Sequence, residues 1–228
     1  MALKKLSAAL LVSAAFSAVL ASSALASVAE TFDVKWYTGS SPGTELSGSA
    51  SIAAEQVGSA TFTVRVAEQT VELGMTGVEC SKCEIKNESL SAVGSGKLKF
   101  VGVTVFKPAG CTISSSITTA NLVIQADWMR GATNYWRFAP FSGEIGGEFM
   151  QFELTGTSCP LKTTIIPRGS VFFQTINGTG TQASPQAITT SEVTNTLAGG
   201  SFHVGAETAS LTEEARFGLG GGVAFGTH

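Results

Sequence analysis

Four cysteines, Cys80, Cys83, Cys111 and Cys159, have the widest choice of chemistry in this chain of 228 residues. They can form disulfides, hold a metal as thiolates, or exchange electrons through Cys80-Ser81-Lys82-Cys83. A thiolate metal centre needs a second close pair. Cys111 and Cys159 stand far apart, and His203 and His228, the only two histidines, are distant from all four. A redox-active C-x-x-C normally sits in a βαβ setting, which the surrounding pattern lacks. The residues therefore point to two structural disulfides, with three pairings open. No metal or cofactor motif is legible.

The other reactive side chains give less. A hydroxyl nucleophile needs an imidazole base and a group to orient it. His228 ends a glycine-rich stretch, His203 reads as an exposed strand residue between Phe202 and Val204, and no G-x-S-x-G elbow is present. Glycoside hydrolysis needs two carboxylates across a cleft. Glu144, Glu148 and Glu153 are the candidates, with Glu148 sharing a strand face with Met150 and Phe152, and Glu153 sharing one with Phe149. These carboxylates otherwise read as turn and surface residues. Asp33 and Asp127 are the only aspartates, and no loop groups hard oxygen ligands for calcium. The triplets at Asn87 and Asn177 have the spelling of glycosylation sites but read as ordinary loop sequence.

Aromatic residues cluster at Trp128, Tyr135, Trp136, Phe138 and Phe141. Sugar-binding β-domains stack flat rings on sugar faces and flank them with polar groups, for which Asp127, Arg130, Asn134 and Arg137 are available. Trp136 and Phe138 share a strand face and should enter the core. Trp128 and Tyr135 are then the candidate exposed ligand platforms.

These groups must be carried by strands, because period-two alternation dominates the chain. Phe32, Val34 and Trp36 alternate with polar neighbours; so do Phe62, Val64 and Val66, and Val71, Leu73 and Met75, the last two sets reading as a hairpin. Further strands are expected at 98–106, 121–128, 134–138, 148–154, 170–175 and 187–193, separated by Gly, Ser, Thr, Asn and Pro. The stretch Ser210 to Glu213 has capping-box spacing but is read as a closing strand. The fold class expected is all-β: an antiparallel β-sandwich or barrel-like sandwich.

Residues 1–26 read as a cleaved signal peptide, with Lys4 and Lys5 before an apolar run and Ala24-Leu25-Ala26 at the cleavage site. A single β-rich domain should fill 27–217, with a weak seam near 91–96. Residues 218–228 should form a glycine-rich mobile tail. Charged residues are 14% and the net charge is −3, with scattered Lys and Arg, so nucleic acid is not an expected partner. No second apolar run is long enough to span a membrane as a helix. An outer-membrane barrel would need aromatic girdles and a lipid-facing apolar set, and the chain has two Tyr and many outward Ser, Thr and Gly.

The segment from Phe106 through Cys111 to Ser114, followed by Ile117 to Leu122, resembles a pattern in exported β-rich actinobacterial proteins of unassigned function. Phe138 to Gly143, Leu154 to Cys159 and Ala209 to Thr212 are similar to the same pattern, so the resemblance covers about residues 98–219. It implies a Cys111–Cys159 bridge. Its members often carry another Cys where this chain has Val103, which leaves Cys80 and Cys83 to pair with each other. The expected protein is an exported, disulfide-stapled, non-enzymatic surface, matrix or binding component, secreted or at the cell surface. Cell-wall polysaccharide and other envelope components are the partners considered. A polysaccharide-binding module is the alternative, and a hydrolase using Glu144 or Glu148 ranks behind it.

Overall fold

A computed structural model describes residues 29–30, 34–39, 43–56, 58–89, 91–130, 133–141, 146–176, 186–189, 202–219 and 225–227. The expected signal peptide and cleavage site lie outside these residues. All-β antiparallel architecture is what the chain adopts, in its barrel-like form. Eight strands, Ser49–Gln56, Gly77–Asn87, Ala92–Val101, Leu122–Arg130, Thr133–Pro140, Val171–Ile176, Gln186–Thr189 and Glu214–Leu219, each pair antiparallel with the next. The last pairs back onto the first through Leu219 with Ile52 and Phe217 with Ala54, so the sheet closes on itself.

Alternation explains why the ring is filled. Phe100 lies opposite Val78, Phe138 opposite Ile124 and Val171, and Trp136 opposite Phe173, so one face of these strands delivers its large residues inward. Phe138 meets Phe173 edge-on at 5.2 Å between ring centroids, and Trp136 meets Phe217 at 5.5 Å. A ring of this strand number is just wide enough for side chains to fill. The opposite face carries exposed Ser51, Glu55, Glu79, Glu84, Lys86, Lys97 and Arg216. Lys99 and Glu79, opposite each other in register, form a 2.9 Å ion pair there. This is the inverse of a transmembrane barrel, whose outer wall is apolar.

One end of the barrel is plugged by a sheet of three short strands, Trp36–Thr38, Thr44–Glu45 and Phe225–Thr227. Trp36 meets Trp136 edge-on at 5.2 Å and Phe225 at 5.8 Å, and its indole nitrogen donates to the Val93 carbonyl at 2.9 Å. The 218–228 expectation is corrected here. Residues up to Leu219 continue the barrel wall, and Phe225–Thr227 is a strand of the plug with Phe225 completely buried; 220–224 and 228 lie outside the described residues. The Asn87 side chain is not a loop feature either. It accepts from Trp36 N at 2.6 Å and donates to the carbonyls of Trp36 and Leu46 at 3.0 and 3.1 Å. Replacing Asn87 by Ala strands those backbone groups, and we expect a loss of about 2 kcal/mol by chemical denaturation.

The opposite end carries the long connections. The hairpin Ala60–Val66/Gln69–Met75 turns through Ala67 and Glu68, both at positive φ (46° and 65°), as a two-residue type I′ turn requires. It forms a five-stranded sheet with Thr104–Lys107, Glu207–Thr212 and His203–Val204. Phe62 packs there against Phe152 at 5.5 Å and Phe202 at 6.1 Å. The strand expected over 98–106 is broken at Gly102, whose φ of 62° turns the chain between Val101 and Thr104. The strand expected over 148–154 is confined to Phe152–Leu154. Before it, Phe149 and Met150 are both buried, so the strict alternation drawn from Glu148 does not hold. The seam expected near 91–96 lies inside the Ala92–Val101 strand, which is paired on both sides.

Ser210 to Thr212 is extended, as expected, but Glu213 is the junction between two strands rather than part of one. Glu207–Thr212 lies in the five-stranded sheet and Glu214–Leu219 in the barrel, so the chain changes sheets at Glu213. Glu213 is buried, and loss of hydration pushes its carboxyl up from 4.5 to about 8. Between those values the folded state retains a proton that the unfolded chain has released. Stability should therefore be greatest below the lower value and fall as pH rises through the window. We expect a loss on the order of 2 to 3 kcal/mol between about pH 5 and about pH 7 from this group. Glu213→Gln should remove that slope in urea melts run across the range; an unchanged slope would assign it to other groups.

Candidate functional site

The candidate site is an open groove of about 630 Å³ on the outer wall of the barrel. It is built where Gly77–Asn87 carries one more residue than its neighbour. Ser81 faces Lys97 and Glu84 faces Ser95, so Lys82 and Cys83 together oppose Gly96 and form a β-bulge. The Cys80–Cys83 disulfide spans this bulge, with its Cα atoms 5.6 Å apart. Cys83 is buried against Gly96 so closely that a Cβ on Gly96 would lie 2.3 Å from its sulfur. Lys82 takes a left-handed conformation, φ 51°, and its side chain borders the groove.

Lys97, Asn121 and Phe141 also line the groove. The Phe141 backbone N–H donates to the Asn121 carbonyl at 2.8 Å, holding the residue that follows Thr133–Pro140 against the start of Leu122–Arg130. Its ring is 69% exposed. Phe106 is the other large exposed ring among the described residues, but it is laid over Gly74 of the neighbouring strand, which accounts for it structurally. Neither Lys82 nor Lys97 forms an ion pair among the described residues. Glu84 and Lys86 border an adjoining hollow with Ser95. Among the described residues the groove therefore offers a flat hydrocarbon ring, an amide, two hydroxyls and two ammonium groups to a ligand lying across the strands.

Other expected site residues fall elsewhere. Tyr135 is corrected: it is only 9% exposed and cannot present a free face to a ligand; Trp128 and Gln174 are its registered neighbours. The side chains of Asp127, Trp128, Arg130 and Asn134 lie outside those described. Arg137 donates to Gln125 Oε1 at 2.9 Å and Ser170 Oγ at 3.3 Å, so its guanidinium is engaged on the wall. Glu144 lies outside the described residues; Glu148 and Glu153 are exposed and do not line the groove. His203 is half-buried rather than exposed, its backbone bonded to Arg168 in both directions at 2.8 and 3.0 Å.

The second disulfide joins Cys111 to Cys159 with a Cα separation of 4.3 Å. It sits beside reciprocal backbone bonds between Thr112 and Thr155, at 2.8 and 2.9 Å, and a 2.9 Å contact between their hydroxyls. The Cys111–Cys159 pairing is the one the resemblance implied, and Cys80–Cys83 is the one that its departure at Val103 left. The expected platforms missed Phe141, whose aromatic neighbours Trp136 and Phe138 are core residues; Pro140 before it and Ser-Gly after it are the local signs of a turn. No protein-family model, curated protein or solved structure matches the chain.

Proposed function

We propose that this is an exported, non-enzymatic surface, matrix or binding protein, and that it works by holding a polysaccharide in the wall groove. The carrying observation is the exposed Phe141 ring beside a groove edged by Ser81, Asn121 and two lysines. Sugars present C–H faces to aromatic rings and hydroxyls to amides and serines, so one strand of glycan satisfies both kinds of wall. Two disulfides suit an oxidising compartment, and the resemblance to exported actinobacterial proteins agrees with that setting. Retention on immobilised cell-wall glycans tests the reading: Phe141→Ala should reduce it at least about fivefold at unchanged melting temperature, consistent with loss of an exposed ring. Equal retention by both proteins would remove the groove from the function.

Export predicts cleavage after Ala26. That cut leaves Ala29 and Glu30 to pair with Met129 and Trp128 along the edge of the Leu122–Arg130 strand. The second acceptable site, after Ala29, would remove half of that pairing. N-terminal sequencing of exported protein should begin at Ser27; a product retaining Lys4 and Lys5 would refute export.

A further inference from the structure

We propose that the groove is selective for acidic polysaccharide, a chain of carboxylated sugars, with Lys82 and Lys97 as the charge-reading residues; this rests on the glycan-binding reading above. Among the described residues, the lysines are the only charged side chains lining the groove. They come from adjacent strands across the bulge, in a protein whose net charge is −3, so the positive patch is local and opposes the overall balance. Lys82 is also held in place. Its left-handed backbone sits inside the loop closed by Cys80 and Cys83, and Cys83 is wedged against Gly96, so the disulfide presents Lys82 as part of a built wall. A glycan stacked on Phe141 would run its carboxylates past two ammonium groups unclaimed by described carboxylates. Glu84, in the adjoining hollow, is the nearby opposing charge along the same strand.

Polygalacturonate and its fully methyl-esterified form have the same backbone with and without charge, and they separate the possibilities. Exported wild-type protein should bind the acid at least about tenfold more tightly than the ester at low ionic strength, and much of that advantage should vanish near 0.5 M salt, as for exposed charges. Lys82→Ala with Lys97→Ala should bring the acid down to the level of the ester. Glu84→Gln should raise acid binding about two- to threefold by removing a like charge. Cys80→Ser with Cys83→Ser should lose part of the selectivity; if that pair fails to fold, the lysine pair, both exposed, still decides. Equal binding of acid and ester, both lost in Phe141→Ala, would overturn the acidic class and leave the glycan reading standing. Selectivity that survives the lysine substitutions would place charge recognition elsewhere and overturn the site. Retention of neither polymer, nor of any cell-wall glycan, would overturn the glycan reading itself.

Discussion

Trp136→Ala should destabilise the protein by about 3 to 5 kcal/mol, the range for deleting a large buried ring. Trp136 joins the barrel interior to its plug. It contacts Phe217 at 5.5 Å, Trp36 at 5.2 Å and Phe225 at 6.3 Å between centroids. The void would border three strands, none of which can shift to fill it without disturbing the others. Urea denaturation is the measurement. A loss below about 1 kcal/mol would show that the plug collapses onto the space, and that the edge-on tryptophan pair contributes little beyond its area.

Removing the Cys111–Cys159 bridge by replacing both residues with Ala is expected to cost on the order of 4 kcal/mol, from the entropy of a closed loop of about 49 residues. The loop carries the Leu122–Arg130 and Thr133–Pro140 hairpin and the Phe149 to Leu154 core contributors, so its freedom in the unfolded chain is large. Thermal and urea melts of the oxidised wild type and the double variant give the value. Non-reducing peptide mapping should return the Cys111–Cys159 and Cys80–Cys83 pairs; Cys111 linked to Cys80 or Cys83 would refute the connectivity. The Cys80–Cys83 bridge closes a far shorter loop, so its chain-entropy contribution should be smaller.

The strands themselves were legible because burial on one face writes itself as alternation: Phe62, Val64, Val71 and Leu73 declared a hairpin, and Trp136 with Phe138 declared an inward face. Closure was not legible. Pairing of Ile52 with Leu219 joins residues from opposite ends of the chain, and nothing local in either strand specifies the other. The groove was hidden for a related reason. Its cysteines were visible as a staple, but the bulge that aims Lys82 arises from an unequal residue count between two paired strands, which appears only once register is known. Phe225 was obscured by the glycines around it, since composition averages away a single anchoring side chain.

Because each wall strand pairs with the next wall strand along the chain and the closing pairing spans by far the largest sequence separation, the barrel has an intrinsic order of assembly. A chain delivered from its N-terminus can build the wall progressively, but Ser49–Gln56 keeps an open hydrogen-bonding edge until Glu214–Leu219 emerges. That interval is when the nascent protein is most exposed to pairing with a neighbouring copy. Truncations ending before Glu214 should therefore accumulate as intermolecular aggregates, and the seam that seals the ring is also the step that commits each molecule to remaining separate.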